Sequence, residues 1–536
     1  MQKVNEIRIY KFKIKLLSLN FHELFVCSIM TRMDTRDFDS TKSTEKSLNK
    51  IFIIFLVLHV ALWSLLPLIR QILPIDAMEC VYWGSLADFG TNKHPPLAGW
   101  IAYFVYNIFK TDFSIYLIGQ LSIIIGFIYL YKLGKIFLGS TKSILAVMIL
   151  EACFAYTYMG IYDGFNPNFL MLCFLPAISY YFYKSVNETK IYNWLMLGCF
   201  TGLSFLAKYQ TLMLFIPLLL YLLITKQGRE QFKKKGFYCA FIVAFLLILP
   251  HLVWLYHNDF FSFNYFIACE DRYSTFYSGP LKYIYSPFIF LFNQLVAVLG
   301  VIFIYFTAFL FSREKRSQEK NINNNDKLFI LLTGIAPLVL QSFQGLNGNY
   351  MIPQWGYSLL FMSGILLFSF FPFKLNDKTI KYIICWVFSA MVITFTVLLI
   401  VFATEKNFAN RFPVEQITEK LNNIYKNSTG KNMNYIGGFI ELTIPIHLYN
   451  NDYKVILDTY GHKNIWIDED DLRKEGALII GRNPALMNYY IKSSVPNLVD
   501  EPAIKPFEFT VKSAVGRERI YTMYYAIVPS NAKYKD

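Results

Sequence analysis

Eleven long apolar runs limit this chain more than any other feature. They lie at 51–73, 112–131, 143–160, 166–183, 193–207, 209–225, 237–256, 287–311, 328–345, 353–371 and 382–403. A helix needs about 20 apolar residues to cross a bilayer, and a backbone inside lipid must satisfy its own hydrogen bonds, so such runs read as spanning helices. Lys208 and Tyr209 interrupt the 193–225 stretch, either as a short turn or as polar groups facing a cavity. The apolar content of 55% exceeds the roughly 45–50% of soluble domains. The expected fold is mainly α and polytopic, with about eleven transmembrane helices.

Basic residues between the runs set the orientation, since Lys and Arg gather in cytoplasmic loops. With the N-terminus inside, the inner loops 132–142, 184–192, 226–236, 313–327 and 372–381 hold 18 Lys and Arg. The outer loops 74–111, 161–165, 257–286 and 346–352 hold four, namely Lys93, Lys110, Arg272 and Lys282. An odd number of spans then places residues 404–536 outside. The net charge of +14 suits anionic headgroups or a phosphorylated substrate, and no RNA or DNA motif is present, so nucleic acid is not an expected partner. Cys153, Cys173, Cys199, Cys239 and Cys385 sit in apolar runs and no CxxC pair occurs, which argues against a disulfide framework or a zinc ribbon.

The chain divides into three parts. Residues 1–50 form a basic cytoplasmic segment with ten Lys and Arg. It carries no signal-peptide cleavage pattern directly before the first run, and Met30 and Met33 are alternative initiators. Residues 51–403 form the transmembrane domain. Residues 404–536 change character: NYIGGFIELTIPIHLY, YKVILDTY, GALIIG and RIYTMYYAIV alternate apolar and polar positions, as in a small α/β domain with several strands. Gly437-Gly438 reads there as a turn rather than a ligand loop.

Chemistry concentrates in the outer loop 74–111, above all in DAMECVYWGSLADFGTNKHPPLAGW, residues 76–100. Asp76 and Glu79 are three apart and share a face if the turn is helical. Acids at membrane depth are costly and are most often functional. Tyr82 and Trp83 follow on a segment expected to lie along an interface. Lys93, His94, Pro95 and Pro96 then combine a cation, an imidazole and a rigid break, with Pro96 suited to opening a new helix. An ordinary connecting loop with belt aromatics is the alternative. Glu79 and His94 are the residues able to join Asp76 in holding a divalent ion, although their spacing is no recognised metal signature. The outer loop 257–286, with Glu270-Asp271-Arg272-Tyr273, reads either as a lid or as a solvated face.

The stretch Asp76-Ala-Met-Glu79-Cys-Val-Tyr82-Trp83, followed by Gly90-Thr-Asn-Lys93-His94-Pro95-Pro96-Leu-Ala-Gly-Trp100, resembles the first outer loop of family 39-type glycosyltransferases. That group includes protein O-mannosyltransferases and the bacterial aminoarabinose transferases acting on lipid A. Gly198-Cys-Phe-Thr-Gly202-Leu-Ser-Phe-Leu-Ala-Lys208-Tyr209, Pro353-Gln-Trp355, Ile465-Trp466-Ile-Asp468 and Gly476-Ala-Leu-Ile-Ile are similar in a supporting way. The resemblance implies an integral-membrane enzyme of the GT-C fold. Such an enzyme takes a sugar from a polyprenyl-phosphate carrier on the outer side of the membrane and passes it to lipid A, another glycan or protein. It implies a catalytic role for Asp76, with Glu79 or Asp163 as further acids. Tyr82, Lys93, His94, Asn168, Lys208, Arg272 and Trp355 are the residues expected to bind substrate. Many relatives carry an acid where Asn168 stands here; an amide cannot act as a base, so either Asp163 substitutes or the amide suffices. A transporter or lipid flippase and a membrane scaffold are the alternatives from other classes.

Overall fold

The computed structural model of the chain describes residues 41–157, 162–273, 279–312, 322–450, 453–457, 464–530 and 532–534. Most of the basic segment expected at 1–50, and part of the 257–286 loop, lie outside the described residues.

Among the described residues, six helices are long and apolar enough to cross a membrane, or up to eight if each of two bent pairs is one span. Each of the eleven runs carries helix among the described residues, but several differ from one straight span each. Those at 112–131 and 143–160 share the stretch Asp112–Ala152, which breaks at Gly139 with φ of 76°. A left-handed break of that kind suits glycine, which pays no Cβ penalty. The runs at 209–225 and 287–311 belong to pairs bent by 99° and 55°. Those at 193–207 and 353–371 form the shorter helices Ile191–Ala207 and Gln354–Phe370. The protein is a multi-pass membrane protein.

Two helices of the 74–111 loop lie beside this bundle. Pro74 stands at the N-cap of Ile75–Ser85, and Asp76 occupies its first turn, where a carboxylate meets the positive end of the helix dipole. Pro96 is the N-cap of Leu97–Phe109, one position before the first turn in which it was expected. The helices touch so closely that a Cβ on Gly84 would stand 2.1 Å from the Gly99 carbonyl oxygen. Tyr82 and Trp83 do not lie along an interface: each is 4% exposed, because the helix Leu97–Phe109 covers one side of Ile75–Ser85 and the C-terminal domain covers another. The helix with an open apolar face is Leu97–Phe109, which exposes Phe104, Ile108 and Phe109.

The C-terminal domain is a five-stranded sheet in the order β2-β1-β3-β5-β4. Its strands are β1 (Tyr435–Gly438), β2 (Lys454–Ile456), β3 (Ala477–Gly481), β4 (Lys505–Lys512) and β5 (Glu518–Val528). β1 runs parallel to β2 and β3, whereas β5 is antiparallel to β3 and β4. β1 and β3 are buried along their whole length, as central parallel strands covered on both faces must be. The stretch NYIGGFIELTIPIHLY supplies less strand than expected: after β1 the chain turns at Gly438 (φ 107°) and continues as the helix Ile440–Asn450. A Cβ on Gly438 would lie 2.1 Å from the Ile480 carbonyl oxygen, so only glycine fits this turn.

The domain is fastened to the 74–111 loop and the residues that flank it. Tyr449 Oη accepts the Leu73 backbone N–H at 3.0 Å and donates to the Asp112 carboxylate at 3.0 Å. Tyr82 Oη donates to the Val455 carbonyl at 3.1 Å, and Trp466 Nε1 donates to Asp88 Oδ2 at 3.1 Å. The Gln71 N–H donates to the Asn410 carbonyl at 3.1 Å.

Candidate active site

The 74–111 loop, the bundle and the domain together enclose a cavity of about 450 Å³. Asp76 and Glu79, one helical turn apart, both line it, as do Lys93, His94, Asn168, Lys208 and Trp355. Seven of the ten residues singled out in the sequence therefore meet in one place, from five separate stretches of chain. Tyr82 does not. Its hydroxyl bonds Val455 and its ring meets His447 edge-on at 5.0 Å, so it ties the loop to the domain. The side chain of Arg272 lies outside the described residues.

Charge in the cavity is arranged around Asp76. Asn166 Nδ2 reaches Asp76 Oδ2 at 3.5 Å, while Asn166 Oδ1 caps the helix Pro167–Asn187 by accepting the Asn168 N–H at 2.9 Å. Asn168 Oδ1 in turn accepts from Lys208 Nζ at 2.6 Å. The Asn-Pro-Asn turn thus holds an acid with one amide and a cation with the other. Burial raises the Asp76 carboxyl above its ordinary range, against the pull of Lys93, Lys208 and Asn166. Burial likewise lowers the Lys208 ammonium to about 8, although Asp76 opposes the shift. Both groups are poised nearer neutrality than their exposed counterparts, a pattern common at catalytic centres.

Glu79 Oε1 pairs with Lys93 Nζ at 2.5 Å, and burial raises its carboxyl. Losing one partner of a buried pair costs about 3–5 kcal/mol, so this couple supports the loop as well as facing the cavity. His94 is pushed well below its ordinary value by burial, then by Lys208 and Lys93, which makes it a neutral imidazole. Its backbone closes the turn with Thr91, whose Oγ1 donates to the His94 carbonyl at 2.9 Å. Asp163 stands behind the cavity rather than in its lining. Burial and the Asp76 charge lift it to about 7 in spite of Arg70. Arg70 braces that loop: Nη1 donates to the Tyr162 carbonyl at 3.1 Å, and the guanidinium packs on the Tyr162 and Phe402 rings.

Sequence reasoning passed over several lining residues. Asn166 was readable as a helix cap before proline, but its reach to Asp76 was not. Tyr265, Phe266, Phe439 and Tyr490 bring aromatic surface from remote stretches. Trp83 and Asn92 also line the cavity, and Trp83 Nε1 and Asn92 Oδ1 are buried without a hydrogen-bond partner. Unmatched buried polar atoms cost about 1–3 kcal/mol each, so this wall suits a polar guest able to both donate and accept. Among the described residues, no group of three or more His, Cys, Asp or Glu could hold a metal ion. Glu79 is committed to Lys93, and no step below is routed through a metal.

Residues 93–254 match the family described as dolichyl-phosphate-mannose-protein mannosyltransferase. The chain is 25% identical over 223 residues to the lipopolysaccharide core galacturonosyltransferase RgtA of Rhizobium johnstonii. That match takes in 41% of this chain and 44% of RgtA, so it spans less than half of the relative. In three dimensions the chain resembles ArnT from Cupriavidus metallidurans in the apo state, with a TM-score of 0.57 and 14% identity. The likeness covers 88% of this chain and 97% of that one. The fold is that of ArnT, and the resemblance to family 39-type glycosyltransferases holds beyond the first loop.

Proposed function

We propose that this ArnT-like chain is a membrane glycosyltransferase, moving a sugar from a polyprenyl-phosphate carrier to an envelope glycan such as lipid A or its core. The observation that carries the reading is the joint placement of two acids, Asp76 and Glu79, and two lysines, Lys93 and Lys208, in a cavity also lined by aromatic rings. The names of the matched family and of RgtA point the same way. In this scheme the acceptor hydroxyl gives its proton to Asp76, a general-base role, and its oxygen bonds the anomeric carbon. The bond from that carbon to the carrier phosphate breaks, and the phosphate leaves with the electron pair. Lys208 and Lys93 stabilise the charge that develops on it. Asp163 shares the acid load by holding a proton when Asp76 is ionised.

The test is transfer by the purified protein from undecaprenyl-phosphate carrying labelled mannose or galacturonic acid to a lipopolysaccharide extract. We expect label in the lipid A–core fraction. Label carried across a vesicle without any new glycosidic bond would replace this reading with that of a flippase, and label in a peptide would replace the glycan acceptor with protein.

We further propose that the site and residues 404–536 face the periplasm, on the strength of the 18-to-four imbalance of basic residues. A phosphatase reporter fused after residue 536 should be active in intact cells of a Gram-negative host. A reporter active only in the cytoplasm would invert the topology.

A further inference from the structure

The order β2-β1-β3, with β1 parallel to both neighbours, creates a point where the chain leaves β1 toward one side and later returns on the other. Open α/β sheets bind ligands in the crevice outside the carboxyl ends of their strands at such a point. Here that crevice opens into the same cavity as Asp76. Gly438, the last residue of β1, and Phe439 and Ile440, which follow it, line the cavity, and so does Tyr490 from the helix Pro484–Ser494 that follows β3. The Phe439 and Tyr490 rings adjoin, with centroids 6.3 Å apart and planes at 46°. Both are half-buried, and Arg482 stands exposed on the loop between β3 and that helix.

We infer that the β1–β3 crevice is the acceptor subsite, where a saccharide face of the envelope glycan stacks on Phe439 and Tyr490 while its hydroxyl points to Asp76. The inference rests on the glycosyl-transfer reading above. The floor of the cavity carries the acid and both lysines, which suits the carrier phosphate and the reacting carbon. Among the described residues, the domain side carries no lysine in its lining and offers aromatic surface instead. A sugar presents an apolar face ringed by hydroxyls, and aromatic rings take such faces well. A peptide acceptor fits less well. Peptides commonly add to a free sheet edge, whereas β1 is flanked by β2 and β3 and has no edge to give.

The experiment measures KM for each substrate separately, using the full-length protein, undecaprenyl-phosphate-linked labelled galacturonic acid or mannose, and lipopolysaccharide truncated to its inner core. Tyr490→Ala should raise KM for the lipopolysaccharide about 2–10-fold, the worth of one aromatic contact, and leave KM for the carrier unmoved. Tyr490→Phe should restore the native value. Phe439→Leu, which keeps apolar bulk, carries the same test if Tyr490→Ala fails to accumulate. Equal changes in both KM values, or no change in either, overturn the inference. A rise for a Ser/Thr peptide but not for lipopolysaccharide overturns the glycan assignment. If the wild-type protein transfers nothing, the glycosyltransferase reading falls, and this inference with it.

Discussion

Asp76→Asn will insert and accumulate as the native protein does, yet lose about 10²–10⁴-fold in turnover, the usual worth of general-base assistance. The substitution keeps size and shape and removes the charge and the base. An asparagine at this position still meets Asn166, whose amide reaches Asp76 at 3.5 Å. It also relieves the cost of a buried carboxylate, so a purely structural role would tolerate the change or gain from it. Glu79→Gln acts differently. It breaks a 2.5 Å pair with Lys93, so its first effect is on the stability of the loop. The measurement is sugar transfer per mole of folded protein, with thermal unfolding recorded alongside. Full activity in Asp76→Asn removes Asp76 from the mechanism and moves the search to Asp163, the neighbouring acid already lifted to about 7.

Lys208→Met should cost about 10²–10³-fold in transfer, comparable to losing one donor to developing charge. Two consequences combine. The carrier phosphate loses a cation, and Asp76 loses a neighbour that now draws its proton affinity down. A pH profile separates Lys208 from the other basic groups. Because burial lowers its ammonium to about 8, the charge is present below that pH and is lost above it. Activity of the native protein should therefore fall as pH rises through about 8. Lys208→Arg, which stays charged at any pH a protein survives, should abolish that descending limb even if its rate at neutral pH is reduced. A limb that persists in the arginine variant assigns it to another group.

How far the sequence foretold this arrangement depends on how local each signal is. The loop at Asn92–Pro96 was legible because two prolines enforce a break wherever they occur, and the helix Leu97–Phe109 duly opens directly after them. Asp76 and Glu79 were legible as a pair because one helical turn separates them. The partners were not: Glu79 with Lys93 is a contact over 14 residues, and Asn168 with Lys208 spans 40. Neither spacing follows any period of secondary structure. Tyr82 was misplaced because what covers it lies 373 residues away. In the domain, β3 and β5 were visible as apolar stretches. β4 was not anticipated, although its inward Phe507, Phe509 and Val511 alternate with Pro506, Glu508 and Lys512 on an exposed face, the period of a half-buried strand. The residues after Gly438 read as strand from their isoleucines and threonine, but that glycine ends β1 and the chain re-enters as helix.

The fastening of the domain to the first loop carries a consequence for how the protein is made. Leu73 finds Tyr449 across 376 residues, and Asp88 finds Trp466 across 378. Asp76 therefore emerges from the ribosome long before the strands that close the space around it. At about 5–20 residues per second, roughly 20–75 s pass between the two. Every later membrane segment is threaded within that interval, and until its end the space around Asp76 lacks the wall that the domain supplies. The strands that complete the chamber are synthesised after every membrane segment between 51 and 403, so the cavity closes only once they have emerged. A chain that stalls in the membrane stays inert.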